Sequence, residues 1–143
     1  MRLSSLVLTV VLSFAAALGA QSPAAPVLKP GAKVFVHSMP NNFDSFFKTA
    51  LKTKKVPVDV VETREQAEFE IKGTSESQKA STAKKLFMGS WRSDEQASIS
   101  VTGVDSGEIV FAYSVNKKDS AHGQRSTAEA CAKHLKEAIE NRK

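Results

Sequence analysis

Apolar and polar positions change period several times along this chain, and each change marks an element. Val34-Phe35-Val36 is a continuous apolar run behind the Pro30-Gly31 break, which predicts a strand in the interior of a sheet. Phe43, Phe46, Phe47, Ala50 and Leu51 then recur at i, i+3, i+4, i+7 and i+8, the spacing of one helix face, with Asn41 or Asn42 placed to cap it. Lys48, Lys52, Lys54 and Lys55 fall on the far side. The last three lie near the helix C-terminus, where the macrodipole favours cations. Residues 56–61 predict a strand with Val56, Val58 and Val60 on one side. Pro57 cannot donate to a ladder, so this strand is expected at an edge or to begin irregularly.

Two later segments alternate strictly. Glu68-Phe69-Glu70-Ile71-Lys72 and Ser98-Ile99-Ser100-Val101-Thr102 each predict a strand with one wet and one packed face. The second leads through the turn signal Asp105-Ser106-Gly107 into residues 108–115, a hairpin. There Ile109, Phe111, Tyr113 and Val115 share one face, while Val110 and Ala112 make the other apolar too, which predicts a second central strand. The closing helix opens with Ser126 and Glu129 at capping-box spacing and carries the stripe Ala128, Cys131, Leu135, Ala138 and Ile139.

Between the alternating strands, residues 74–96 read as an insert. Its first half is rich in Ser, Thr and Lys, and Leu86, Phe87, Met88 and Trp91 follow where the alternation has stopped. The element order is therefore β-α-β-β-(insert)-β-β-α. Two helices cannot cover both faces of about five strands, so the expected fold is α+β: a two-layer sandwich, a mixed sheet with both helices on one face.

The first residues follow different rules. Arg2 precedes an apolar run over residues 6–18 that ends in Gly19 and Ala20, the pattern of an export signal cleaved near Ala20. The run is shorter than the ~20 apolar residues of a bilayer span, so the mature chain is expected to have no transmembrane segment. Residues 21–31 read as a Pro/Ala-rich linker, since Pro23, Pro26 and Pro30 are too closely spaced for a helix or central strand. Residues 32–143 are expected to form a single domain. The expected location is periplasmic or extracellular.

Composition adds three constraints. At 41% apolar and 24% charged the 143-residue chain is ordinary for a globular domain, which excludes collagen-like, wholly disordered and multispanning classes. Cys131 is the only cysteine, so no internal disulfide can form in an oxidising compartment. The formal net charge is +5, with Lys54-Lys55, Lys84-Lys85 and Lys117-Lys118 as pairs. Export argues against nucleic acid as the partner, and solvated helix and hairpin ends account for the pairs. Contact with anionic lipid headgroups or envelope polymers is the functional alternative.

Candidate chemistry is sparse. Cys131 and His134 stand three apart on one helix and could meet as nucleophile and base, but Cys131 falls in the apolar stripe, where a free cysteine acts as a small hydrophobe. His37, His122 and His134 are dispersed, without metal-ligand spacing, and no phosphate-binding glycine fingerprint or nucleophile elbow is present. The expectation is no catalytic, metal-binding or cofactor-binding residues and no cofactor.

The leading apolar strand, the amphipathic helix, Val58-Asp59-Val60-Val61, the segment from Gln66 through Gly73, and Asp105-Ser106-Gly107-Glu108-Ile109-Val110 before an Ala-rich closing helix together show a resemblance. This arrangement resembles small bacterial envelope domains, those of the TolB N-terminal domain and the CsgG periplasmic domain. The resemblance covers most of residues 32–143 and implies a non-enzymatic domain used for protein contacts in the envelope. The chain is expected to depart from both, with no propeller after the domain and no lipoprotein cysteine or channel-forming strands.

The functional expectation is thus an exported interaction module or adaptor that binds an envelope protein. The alternatives are a small secreted enzyme and a basic binder of anionic envelope components. Phe87, Met88 and Trp91, framed by Lys84, Lys85 and Arg92, are the expected partner-binding surface, since Trp, Met and Arg are enriched in interface cores.

Overall fold

The computed structural model describes residues 26–79, 93–120 and 122–141. Its elements in order are β1 (Ala32–Val36), α1 (Phe43–Thr53), β2 (Val58–Val61), β3 (Phe69–Lys79), β4 (Ser93–Gly103), β5 (Ile109–Ser120) and α2 (Gln124–Glu140). The five strands form one sheet in the order β2-β1-β3-β4-β5. β1 pairs in parallel with β2 and β3, whereas β3, β4 and β5 pair antiparallel. This is the expected α+β two-layer sandwich with a mixed sheet.

One sheet face packs on the helices. Val34 and Val36 of β1, Phe69 and Ile71 of β3, and Ala97, Ile99 and Val101 of β4 point to it. Phe43, Phe47, Ala50 and Leu51 of α1 and Ala128, Cys131, Leu135 and Ile139 of α2 close over them. Burying a large apolar side chain fully contributes about 1.5–3 kcal/mol, so this layer carries the fold. Leu28, in the stretch read as linker, is only 2% exposed and belongs to the same core. Gly31, at φ +81°, turns the chain from there into β1, and its N–H donates to the Pro57 carbonyl at 2.8 Å.

Several sequence expectations are corrected. Thr74 to Lys79 and Ser93 to Gln96, read as parts of an insert, continue the β3–β4 ladder in register from Phe69↔Gly103 to Lys79↔Ser93. Backbone pairing needs no apolar side chains, so the ladder outruns the hydrophobic signal. β5 is an edge strand and not a central one. Among the described strands it neighbours β4 alone, and the other side of β4 is taken by β3.

A register shift between Val101 and Thr102 leaves Val110 as an extra residue opposite β4. This bulge turns Ile109 outward to 67% exposure, while Val110 joins Phe111, Tyr113 and Val115 against the core. On α1, Phe46 is 40% exposed, because the sheet is reached by the neighbouring Phe43 and Phe47 positions.

Both helix caps also differ from expectation. Asn41 and Asn42 take left-handed backbone angles in the 3-10 turn Pro40–Asn42, and neither side chain caps α1. Asn41 Nδ2 instead donates to the Ser75 carbonyl at 2.9 Å, tying the turn to β3. α2 begins before the expected capping box, behind Gly123 at φ +58°, a conformation that glycine alone adopts freely. Ser126 Oγ therefore accepts from Lys117 Nζ at 2.8 Å rather than capping, and Glu129 turns to Lys54 and Arg125.

Candidate functional site

Cys131 and His134 do not form a reactive pair. Cys131 is fully buried, and burial pushes its thiol up to about 12, so thiolate is negligible at neutral pH. His134 stacks on Tyr113 with centroids 4.2 Å apart, and its Nδ1 lies 3.1 Å from Glu137. Burial raises the Tyr113 hydroxyl above its ordinary value as well. These groups fasten α2 to β5. Among the described residues, no three His, Cys, Asp or Glu side chains are arranged to hold a metal ion.

The sheet face away from the helices holds a polar cluster that the alternating pattern only hints at. Glu70 of β3 is 7% exposed although α1 and α2 both lie on the opposite face. Its Oε2 accepts from His37 Nε2 and Arg64 Nε, both at 2.9 Å, and its Oε1 from Lys72 Nζ at 2.9 Å. Lys72 first, then Arg64 and His37, hold this carboxyl down to about 2. An ionised carboxylate only accepts, so His37 carries its proton on Nε2. The parallel register Phe35↔Glu70 places His37 beside the glutamate, and the 3-10 turn Arg64–Gln66 brings Arg64 over it. Phe35 packs edge-on against His37 at 4.9 Å.

Glu68, two residues earlier, accepts from the Lys33 N–H at 3.0 Å. Farther along the same face Thr74 and Ser98 pair their hydroxyls at 2.8 Å. The arrangement clamps β1, β3 and the intervening turn with charge-assisted bonds. Its chemistry is that of a recognition or structural surface, because Glu70 is held ionised by three donors and Glu68 is engaged with backbone. The sequence signal was the Glu68, Glu70, Lys72 spacing; His37 and Arg64 could join it only once the parallel pairing was known.

Phe87, Met88, Trp91, Arg92, Lys84 and Lys85, the expected partner-binding residues, lie outside the described residues. The antiparallel β3–β4 pairing has Lys79↔Ser93, the residues flanking that stretch of sequence, as its last register pair.

No protein-family model matches this chain, and no curated protein matches it by sequence. Solved structures do match its fold. A point variant of the PelC dodecamer from Paraburkholderia phytofirmans superposes with a TM-score of 0.58 at 18% identity, over 81% of this chain and 94% of that one. A second crystal form of the PelC dodecamer gives 0.56 at 16% identity, over 80% and 91%. TolB from Acinetobacter baumannii matches at 0.47 and 11% identity, over 82% of this chain and 29% of that one. At these identities the likeness is one of fold.

Proposed function

We propose that this chain is an exported, non-enzymatic protein of the bacterial envelope that works by binding other protein chains, including copies of itself. The observation that carries the reading is the fold shared with PelC over about four fifths of this chain and more than nine tenths of that one, since the matched PelC structures are dodecamers. Arg2, the short apolar run and the small residues ending at Ala20 support export. The burial of Cys131 and the engagement of His134 speak against that pair as nucleophile and base, which supports the non-enzymatic reading. Phe87, Met88 and Trp91, with Lys84, Lys85 and Arg92 around them, remain the proposed contact surface.

The test is native mass spectrometry of the mature chain, together with crosslinked recovery from the envelope fraction. The expected result is a discrete oligomer or a defined envelope partner, lost in a Phe87→Ala, Trp91→Ala variant that stays folded. A chain that is monomeric at every concentration and recovers nothing would overturn the reading, and so would unfolding of the double variant, which would make those residues core.

A second reading rests on a separate observation. Lys48 and Lys52 lie on the C-terminal half of α1 and Lys54 and Lys55 directly follow it, and contact with an anionic envelope surface would use them. Cosedimentation with phosphatidylglycerol vesicles that weakens steeply with salt would support it.

A further inference from the structure

The outer surface of the helix layer carries a furrow that neither reading uses. One end is a cavity of about 260 Å³ between α1 and α2, lined by Phe46, Thr49, Ala50, Thr53, Arg125 and Glu129. A second cavity of about 370 Å³ shares Arg125 and Glu129 with it and is completed by Lys117, His122 and Ser126. The two ends differ in chemistry. At the first, the exposed Phe46 ring stands beside Ala50 and the threonines of the next turns of α1. At the second, Lys117, Arg125 and His122 line the cavity with one carboxylate, that of Glu129.

That carboxylate does not neutralise them. Glu129 Oε2 lies 3.0 Å from Lys54 Nζ and its Oε1 lies 3.3 Å from Arg125 Nε, and its carboxyl is held below its ordinary value first by Lys54. Lys117 and Arg125, together with Lys54 beside them, therefore stand against two carboxylates, Glu129 and the buried Glu95 across the β4–β5 ladder from Lys117, which leaves one positive charge in excess, with His122 at the rim. Lys117 is fixed by its bond to Ser126 Oγ at 2.8 Å, which uses one of three ammonium protons. The start of α2 adds little, because buried Glu95 sits below it, with Oε1 3.6 Å from where a Cβ on Gly123 would stand. The positive excess belongs to the side chains.

We propose that this furrow docks a segment of a partner protein in which an apolar side chain, seated against Phe46, is followed by a carboxylate that enters the Lys117–Arg125 end. Charge complementarity selects the acidic group and fixes the direction of the segment. A concave, two-ended site fits a peptide, whereas a bilayer is met by an apolar face that projects outward. The proposal is independent of the Phe87–Trp91 surface and survives its failure.

The probe is an N-acetylated, C-amidated pentapeptide with Phe followed by two Asp, compared with its Phe-Asn-Asn counterpart, titrated into the ¹⁵N-labelled mature chain. Amide shifts are expected at Phe46, Thr53, Arg125 and Ser126, with the Asn peptide at least ten-fold weaker. Arg125→Ala should abolish that discrimination, and Phe46→Ala should weaken both peptides. Both positions are exposed, so the variants should retain the wild-type spectrum elsewhere. Equal binding of the two peptides, absence of furrow shifts at millimolar peptide, or furrow shifts with phosphatidylglycerol vesicles alone would overturn the proposal.

Discussion

His37 Nε2 stands 2.9 Å from Glu70 Oε2, joining the exit of β1 to the middle of the sheet on the face opposite the two helices. Because Arg64 reaches the same carboxylate, one acid on β3 ties two other chain segments to its strand, while Lys72 comes from β3 itself. Its carboxyl is held at about 2 against an ordinary 4.5, so the ionised form stabilises the folded state. That contribution is complete above about pH 4.5 and disappears as pH falls towards 2. Glu70→Gln is expected to lower stability by about 1–2 kcal/mol at pH 7, less than a fully buried pair because the cations are half exposed. Urea unfolding at several pH values checks this: the gap between variant and wild type should close between pH 4.5 and 2, and a gap that persists at pH 2 counts against the clamp.

Cys131 should react slowly. With its side chain fully buried and its thiol pushed up to about 12, labelling by a maleimide at pH 7 is expected to require local opening. Cys131→Ala is expected to cost about 1–2 kcal/mol by removing one packed group. Fast labelling of the native protein, with no loss of stability in the variant, would place the thiol at the surface.

Gly73 marks a close approach of two strands under the helix layer. A Cβ there would stand 2.6 Å from the Ser98 carbonyl oxygen, 3.1 Å from Met39 Sδ and 3.2 Å from Ile99 Cγ2. The first obstacle is backbone, which cannot swing aside. Gly73→Ala is therefore expected to destabilise by about 1–3 kcal/mol, read as a lower midpoint in thermal or urea unfolding. A variant as stable as wild type would mean that β3 and β4 stand farther apart there.

Export makes a direct mass prediction. Intact mass of the chain recovered from an envelope fraction should correspond to cleavage within one residue of Ala20. Recovery of the chain with Met1 in place would contradict it.

Periodicity alone made most of the architecture legible. Phe43, Phe47, Ala50 and Leu51, and later Ala128, Cys131, Leu135 and Ile139, announce their helices because a helix that must bury one stripe repeats it every 3.6 residues. The alternation from Glu68 to Lys72 and from Ser98 to Thr102 likewise follows from a sheet packed on one face. From those patterns the two-layer arrangement follows, since two helices suffice to cover only one face of five strands.

Tertiary structure decided what depends on partners distant in the chain. β5 sits at an edge because no described strand pairs with its side away from β4, and no local pattern encodes that. The bulge that exposes Ile109 is a register event between two strands. The polar run from Thr74 to Lys79 carries no apolar signal, yet its backbone pairs fully with β4. Glu70 is read locally as a solvated strand residue, and becomes a buried hub only because parallel pairing and a 3-10 turn deliver His37 and Arg64 to it. The furrow is the same case: Phe46 belongs to α1 and Arg125 to α2, and only the packing of the two helices makes them opposite walls. A side chain's burial period is local, whereas its neighbours across a sheet or between helices are set by how the whole chain closes on its core.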